Sequence, residues 1–158
     1  MPKITALLHA HNDAIRLGRA LESLRPCDEL LIIDDGSEDG TERVAREHGA
    51  IVKTAIPGVS QGAYAMDASY EWIFCIRPNE SLSEVLEAAL FEWKNQEPSA
   101  DIPAYQVSIR EQKEDGWHAC VPEVRLVNRS LVNWVGELPP NQGCDSRLAG
   151  DLLCFHQP

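Results

Sequence analysis

Two hydrophobic rhythms take turns along the first two thirds of the chain. Compact apolar runs, the mark of strands covered on both faces, occur at 3–8, 30–33, 50–55 and 71–76. Between them, apolar residues recur at every third or fourth position, the spacing of a helix with one buried face. Over 13–25, Ala14, Leu17, Leu21 and Leu24 share a face while Arg16, Arg19 and Glu22 fall elsewhere, and Pro26 stops the helix. Asn12 is positioned to cap that helix. Asp39 with Glu42 resembles a capping pair for a second helix over 40–48, which Gly49 closes. The turn 57–62 has glycines and amides free to approach a ligand, and 63–70 reads as helical. Ser81 and Glu84 form an S-x-x-E box before the clearest helix, where Leu82, Val85, Leu86, Ala89, Leu90 and Trp93 repeat at three and four.

Alternation of strands and helices predicts a mostly parallel sheet with helices on both faces, an α/β chain of Rossmann-like character. Beyond Ala104 the rhythm changes. Residues 105–109 alternate, 111–116 make a charged turn, and 117–128, 131–135 and 152–155 read as strands with short links. The chain of 158 residues is expected to be one domain, with a first half over 1–103 and a mixed, strand-rich part over 104–158.

Charge narrows the partners. With 25 acidic against 14 basic side chains the formal net charge is −11, which disfavours nucleic acid and anionic membrane. A nucleotide-sized anion needs a locally basic or amide-lined pocket. The five cysteines show no metal-ligand or disulfide spacing and read as reduced thiols. The first residues lack the apolar core of a signal peptide, and no run reaches the length of a spanning helix. The expectation is a cytoplasmic protein with no transmembrane segment, reaching a membrane only through a partner.

Candidate chemistry centres on Leu30 to Thr41, where an apolar run stops in Asp34 and Asp35. In open α/β sheets ligands gather at such carboxyl strand ends. Nucleotide recognition, capping of the loop through the Gly36 and Ser37 amides, and metal binding all remain open for this pair. A phospho-acceptor role lacks a supporting lysine or further aspartate. His9 and His11, joined by His156, have the chemistry of a zinc or anion site, against the plainer role of rim residues. His118 and Cys120 share a two-residue spacing on which nothing else converges. Trp72, Trp93, Trp117 and Trp134 read as packing residues ahead of sugar platforms.

Three motifs in register resemble the inverting family 2 glycosyltransferases of GT-A fold. His9-Ala10-His11-Asn12-Asp13 stands where that family has a P-T-Y-N-E-like turn, Leu17 to Leu24 matches its L-x-R-A-L-E-S-L helix, and Ile33 to Thr41 matches V-D-D-G-S-x-D-G-T. Pro122 to Arg129 further resembles the P-E-x-R-L-F-R-R strand of lipopolysaccharide-core-type members. The resemblance implies a GT-A-like sheet and a nucleotide-diphosphate sugar as donor, with His11, Asn12, Asp34, Asp35 and Arg77 at the nucleotide. It implies transfer to an unknown sugar, lipid or protein acceptor. Glu137, after the tryptophan-bearing segment, stands where such relatives carry the base that deprotonates the acceptor; a solvated loop glutamate is the alternative, with Asp145 and Asp151 weaker substitutes.

One departure limits the resemblance. The family's L-D-A-D-E, whose D-x-D carboxylates hold a divalent metal, is replaced by Ile76-Arg77-Pro78-Asn79-Glu80. Hard cations want carboxylate oxygens, and a guanidinium repels them. The expectation is therefore no metal and no other cofactor, with Arg77 gripping the diphosphate directly. The alternative is a catalytically inactive GT-A-like binding or assembly module, motivated by the missing carboxylates and the short chain.

Overall fold

The computed structural model describes residues 1–157. Its elements run β1 (Ile4–Ala10), α1 (Ala14–Glu22), β2 (Glu29–Asp34), α2 (Thr41–Glu47), β3 (Ile51–Thr54), a 3-10 helix (Gln61–Asp67), β4 (Trp72–Cys75), β5 (Glu80–Leu82), α3 (Glu84–Asn95), β6 (Ala104–Lys113), β7 (Gly116–Asn128) and β8 (Arg147–Cys154). Among the described residues the strands form one eight-stranded sheet in the order β3-β2-β1-β4-β7-β6-β8-β5. β1 runs parallel to β2 and β4, and β2 parallel to β3. Direction then mixes: β7 is antiparallel to β4 and β6, β8 parallel to β6, and β5 antiparallel to β8. Pairing of β5 with β8 ties the first part of the chain to its last strand within one sheet.

Side chains alternate across a strand, so each face of the sheet collects its own core. Ile4, Ala6, Leu8 and Ala10 of β1 join Leu17 and Leu21 of α1, Ala45 of α2, and Leu86 and Leu90 of α3. Trp72, Trp93 and Tyr105 meet edge-on in that core, the two indoles 4.8 Å apart. Leu7, Leu31, Ile33, Ile73 and Cys75 face the other way, where Tyr64 and Ala65 of the 3-10 helix cover them with Val132, Trp134 and Leu138. No described helix is long and apolar enough to cross a membrane.

Several local expectations shift, each for a visible reason. The α-helix expected over 63–70 is a 3-10 helix ending at Asp67. Its would-be α-helical partners are taken: Arg129 Nη1 donates to the Ala65 carbonyl at 3.0 Å, and the Ser69 amide donates to Glu29 at 2.8 Å. Ser81 is no cap, because 80–82 pairs with β8 instead. Ser83 starts α3, accepting from Leu86 N at 3.2 Å and from Asp151 N of β8 at 3.0 Å. The strand expected at 131–135 is an irregular strap, turned away after β7 by Asn128, whose carbonyl accepts from the amides of Leu131 and Val132. Gly49, at φ 77, ends α2 as expected.

One polar contact lies inside this apolar framework. Arg125 of β7 is wholly buried and grips Glu80 with two nitrogens on two oxygens, at 2.7 and 2.8 Å. Glu123 accepts from the same guanidinium at 3.1 Å, and the Cys75 carbonyl at 3.1 Å. Burial by itself would weaken the charge on Arg125, but hydrogen bonds and the negative charge of Glu80 outweigh it and hold the guanidinium protonated. Arg125→Met leaves the buried Glu80 carboxylate without its cationic partner, with only the Arg77 amide still donating to it, and should cost about 3–5 kcal/mol in urea unfolding. Glu80→Gln should cost less, since Glu123 remains beside the arginine; equal costs would show that the Glu123 contact does not compensate.

Candidate functional site

Register brings the carboxyl ends of the parallel strands to one rim. Ala10 pairs with Asp34 and Asp34 with Thr54, so the turns after β1, β2 and β3 lie side by side. Those turns are stitched together. Asn12, in the left-handed region at φ 52, accepts from the Glu38 amide at 2.8 Å, and its own amide donates to Ser37 at 2.9 Å. Asp39 accepts from the Thr41 amide and hydroxyl, and from the Ala14 amide at 3.2 Å, joining the starts of α1 and α2. The hydrogen bond from the Thr41 hydroxyl is the main cause that holds the Asp39 carboxyl below its usual range.

This stitching decides which expected site residues reach the ligand side. Asn12 does not cap α1, whose N-cap is Asp13, and it is not among the residues that line the cleft. Asp34 is also absent from the pocket lining. It is nearly buried and accepts from the Ser37 hydroxyl, the loop-capping arrangement. Asp35, His11, Arg77 and Glu137 converge instead. They line a cleft of about 350 Å³ together with Arg16 of α1 and His9. His11 Nδ1 lies 2.5 Å from the Asp35 carbonyl, and Arg77 Nε lies 3.5 Å from Glu137 Oε2.

A second hollow of about 380 Å³ continues from the first, with His9, Asp35 and Gln61 common to both. Ile33, Ala55, Ile56, Val59 and Tyr64 give it apolar walls. The Ile56 amide donates to the Tyr64 hydroxyl at 2.7 Å, fixing the ring against the 57–62 turn. The pair of hollows has the form of a site for a flat apolar-faced group at one end and an anionic group at the other. His9 stands between them with its ring 6.1 Å from Tyr64; its Nε2 is buried with no partner among the described residues. Burial lowers its pKa from 6.5 to about 4.

Glu137 arrives by way of the strap. The Gly62 amide donates to the Val135 carbonyl at 3.1 Å, and a Cβ at Gly62 would lie 1.9 Å from the Trp134 carbonyl oxygen. Only a residue without a side chain lets the strap lie this close to the 3-10 helix. Behind the cleft, the loop 77–80 is held by Glu80, which accepts from the Arg77 amide at 2.7 Å. Buried Cys75 beneath it has its thiol pushed up to about 12 by desolvation, which leaves it unreactive.

Acidic side chains reach the cleft singly, as Asp13, Asp35 and Glu137 from three different segments. Arg77 and Asn79 occupy the positions where the D-x-D carboxylates are expected, and the Asn79 amide turns to Cys154 Sγ at 3.4 Å. Glu137 is paired with Arg77, and Asp13 with Arg16 at 3.6 Å. Among the described residues no group of three His, Cys, Asp or Glu side chains is placed to hold a metal. The histidine triad does not assemble either: His156 bonds Glu111 at 2.5 Å, remote from His9 and His11. His118 pairs with Asp115 at 2.6 Å.

Sequence reasoning missed Arg16, Gln61, Tyr64 and the Glu80–Arg125 pair. A lone arginine inside the apolar stretch Val124 to Val127 was the available signal for that buried pair. Arg16 looked like an ordinary solvent-facing helix residue.

Comparison with known proteins follows the same lines. No family model matches the chain. An uncharacterized glycosyltransferase of Rickettsia typhi is 30% identical over 150 residues, which is 87% of this chain and 50% of the relative. The chain spans half or less of the length of the curated relatives it matches. A mycobacterial protein of known crystal structure superposes with a TM-score of 0.68 at 14% identity, over 99% of this chain and 68% of its own. Glucosyl-3-phosphoglycerate synthase of Mycobacterium tuberculosis, solved with Mn2+, uridine diphosphate and glucosyl-3-phosphoglycerate, superposes with a TM-score of 0.55 at 21% identity, over 69% and 44%. The chain is similar to proteins named as glycosyltransferases and has a GT-A-like fold. Its strand-end cleft therefore lies on a sheet shared with sugar-transferring enzymes.

Two measurements probe the GT-A-like site. His9 is neutral in the fold but protonates below 6.5 once unfolded, so its contribution to stability is complete above pH 6.5 and lost as pH falls toward 4. His9→Gln should flatten the pH dependence of urea-derived stability in that window by up to about one proton. Gly62→Ala must push the strap outward and should destabilise by about 1–3 kcal/mol; an unchanged melting curve would show the strap to be freely displaceable.

Proposed function

We propose that this chain binds a nucleoside-diphosphate sugar across the joined hollows and transfers the sugar, with inversion, to an acceptor hydroxyl. The observation that supports this best is the convergence of Asp35, Arg77 and Glu137 on one cleft at the carboxyl ends of β1, β2 and β4. The base lies in the apolar hollow against Tyr64 and Ile33, with Asp35 accepting from its N–H or from the ribose. The diphosphate lies toward Arg77.

In the transfer step the acceptor oxygen attacks the anomeric carbon and its proton passes to Glu137. The bond from that carbon to the diphosphate oxygen breaks, and the electron pair leaves with the diphosphate. Arg77 meets the charge developing there. Uridine diphosphate sugars are the first donors to try, because the M. tuberculosis synthase of similar fold is solved with uridine diphosphate.

A second reading, a binding module without catalysis, is favoured by one feature. Glu137 already has a partner in the Arg77 guanidinium, 3.5 Å away, so its carboxylate is not free to meet an acceptor hydroxyl. Release of nucleoside diphosphate from a panel of uridine and guanosine diphosphate sugars separates the two. Glu137→Gln should lower turnover by about 10²-fold or more while leaving nucleotide affinity unchanged or tighter. Nucleotide binding without any sugar release, with or without small acceptors, establishes the binding module instead.

A further inference from the structure

Two arginines line the cleft at its anionic end, and they differ from the structural arginines elsewhere. Arg125 and Arg129 have their donors occupied by carboxylates and carbonyls at 2.5 to 3.2 Å. Among the described residues, the Arg16 and Arg77 side chains are each held only by a loose ion pair, at 3.6 Å to Asp13 and 3.5 Å to Glu137. Both side chains are 45% exposed. Their N–H forks are therefore available to a ligand, and in a chain of net charge −11 a concentration of two guanidiniums in one hollow is not background.

They also come from separate segments of the chain. Arg16 stands in the first turn of α1, and Arg77 follows β4 in the loop whose backbone Glu80 and Arg125 hold. We infer that Arg16 and Arg77 form a two-sided clamp for the diphosphate of the donor, so that this chain binds its nucleotide without a divalent cation. The inference rests on the proposed function for the identity of the ligand. Its physical basis is the donor set: planar guanidinium forks match phosphate oxygens in pairs, whereas a dication placed between two guanidiniums is repelled. Binding exchanges the Arg77–Glu137 contact for an Arg77–phosphate contact, which releases the Glu137 carboxylate when the donor is in place.

The test is calorimetric titration of the chain with uridine diphosphate, guanosine diphosphate and inorganic pyrophosphate, in chelator and in millimolar manganese. The clamp requires binding in chelator that manganese does not strengthen. Arg16→Ala and Arg77→Ala should each weaken pyrophosphate and nucleotide by about tenfold or more, with melting temperatures unchanged because both side chains are exposed. Arg77→Lys should recover only part of the loss, since it restores charge without the fork. Binding that appears only with manganese overturns the clamp while leaving the proposed function standing. Tight metal-free binding without any sugar release leaves the clamp standing and removes the catalytic reading. Binding unchanged in both arginine variants, or no binding under either condition, overturns the clamp.

Discussion

Bidentate pairing of Arg125 with Glu80 is the contact on which the geometry of the cleft depends. A wholly buried guanidinium is tolerable only when its donors are satisfied, and here two carboxylates and the Cys75 carbonyl satisfy them. The consequence extends past stability. Glu80 also accepts from the Arg77 amide, so the pair sets where β4 ends, how the 77–80 loop turns and toward which side Arg77 projects. Because Glu80 opens β5, and β5 pairs with β8, the same contact connects the cleft side of the sheet to its far edge.

Around that anchor the site is assembled from loops that hold one another. Asn12, Ser37, Asp39 and Thr41 use their polar groups on neighbouring backbone amides, which leaves Asp35, His11 and Arg16 directed at the cleft. The strap over the 3-10 helix adds Glu137 from the opposite side, and its approach depends on the missing side chain at Gly62. Acidic and basic groups thus meet as two loose pairs, Asp13 with Arg16 and Glu137 with Arg77. Loose pairing at a half-exposed cleft is weakly stabilising, so an incoming phosphate can displace either carboxylate at little cost to the fold.

Replacement of two expected carboxylates by Arg77 and Asn79 changes the local charge by inverting it. A pocket otherwise acidic gains cations where the phosphates of a donor would lie. The GT-A-like sheet supplies the strand-end crevice, and under the proposed function these substitutions alter only the means of holding an anion in it. The apolar hollow bounded by Ile33, Ile56 and Tyr64 is unaffected by that exchange.

Period and punctuation alone were enough to read β1 to β4, α1 to α3 and the shift to a strand-rich end, because buried faces impose their spacing on the residues that form them. The Asp34-Asp35 strand end, Arg77 and Glu137 were likewise legible from motif and position. What the sequence could not distinguish was which polar groups face inward to hold the loops and which face the ligand. Asp34 and Asp35 are adjacent and chemically identical, yet one is nearly buried against Ser37 and the other open to the cleft, since successive residues at a strand end point to opposite sides. The short β5, the 3-10 helix, the strap and the meeting of Arg16 and Arg77 in one cleft were decided by tertiary structure. Each depends on contacts between segments far apart in the chain, such as Glu80 with Arg125 and Gly62 with Trp134, for which local periodicity carries no signal.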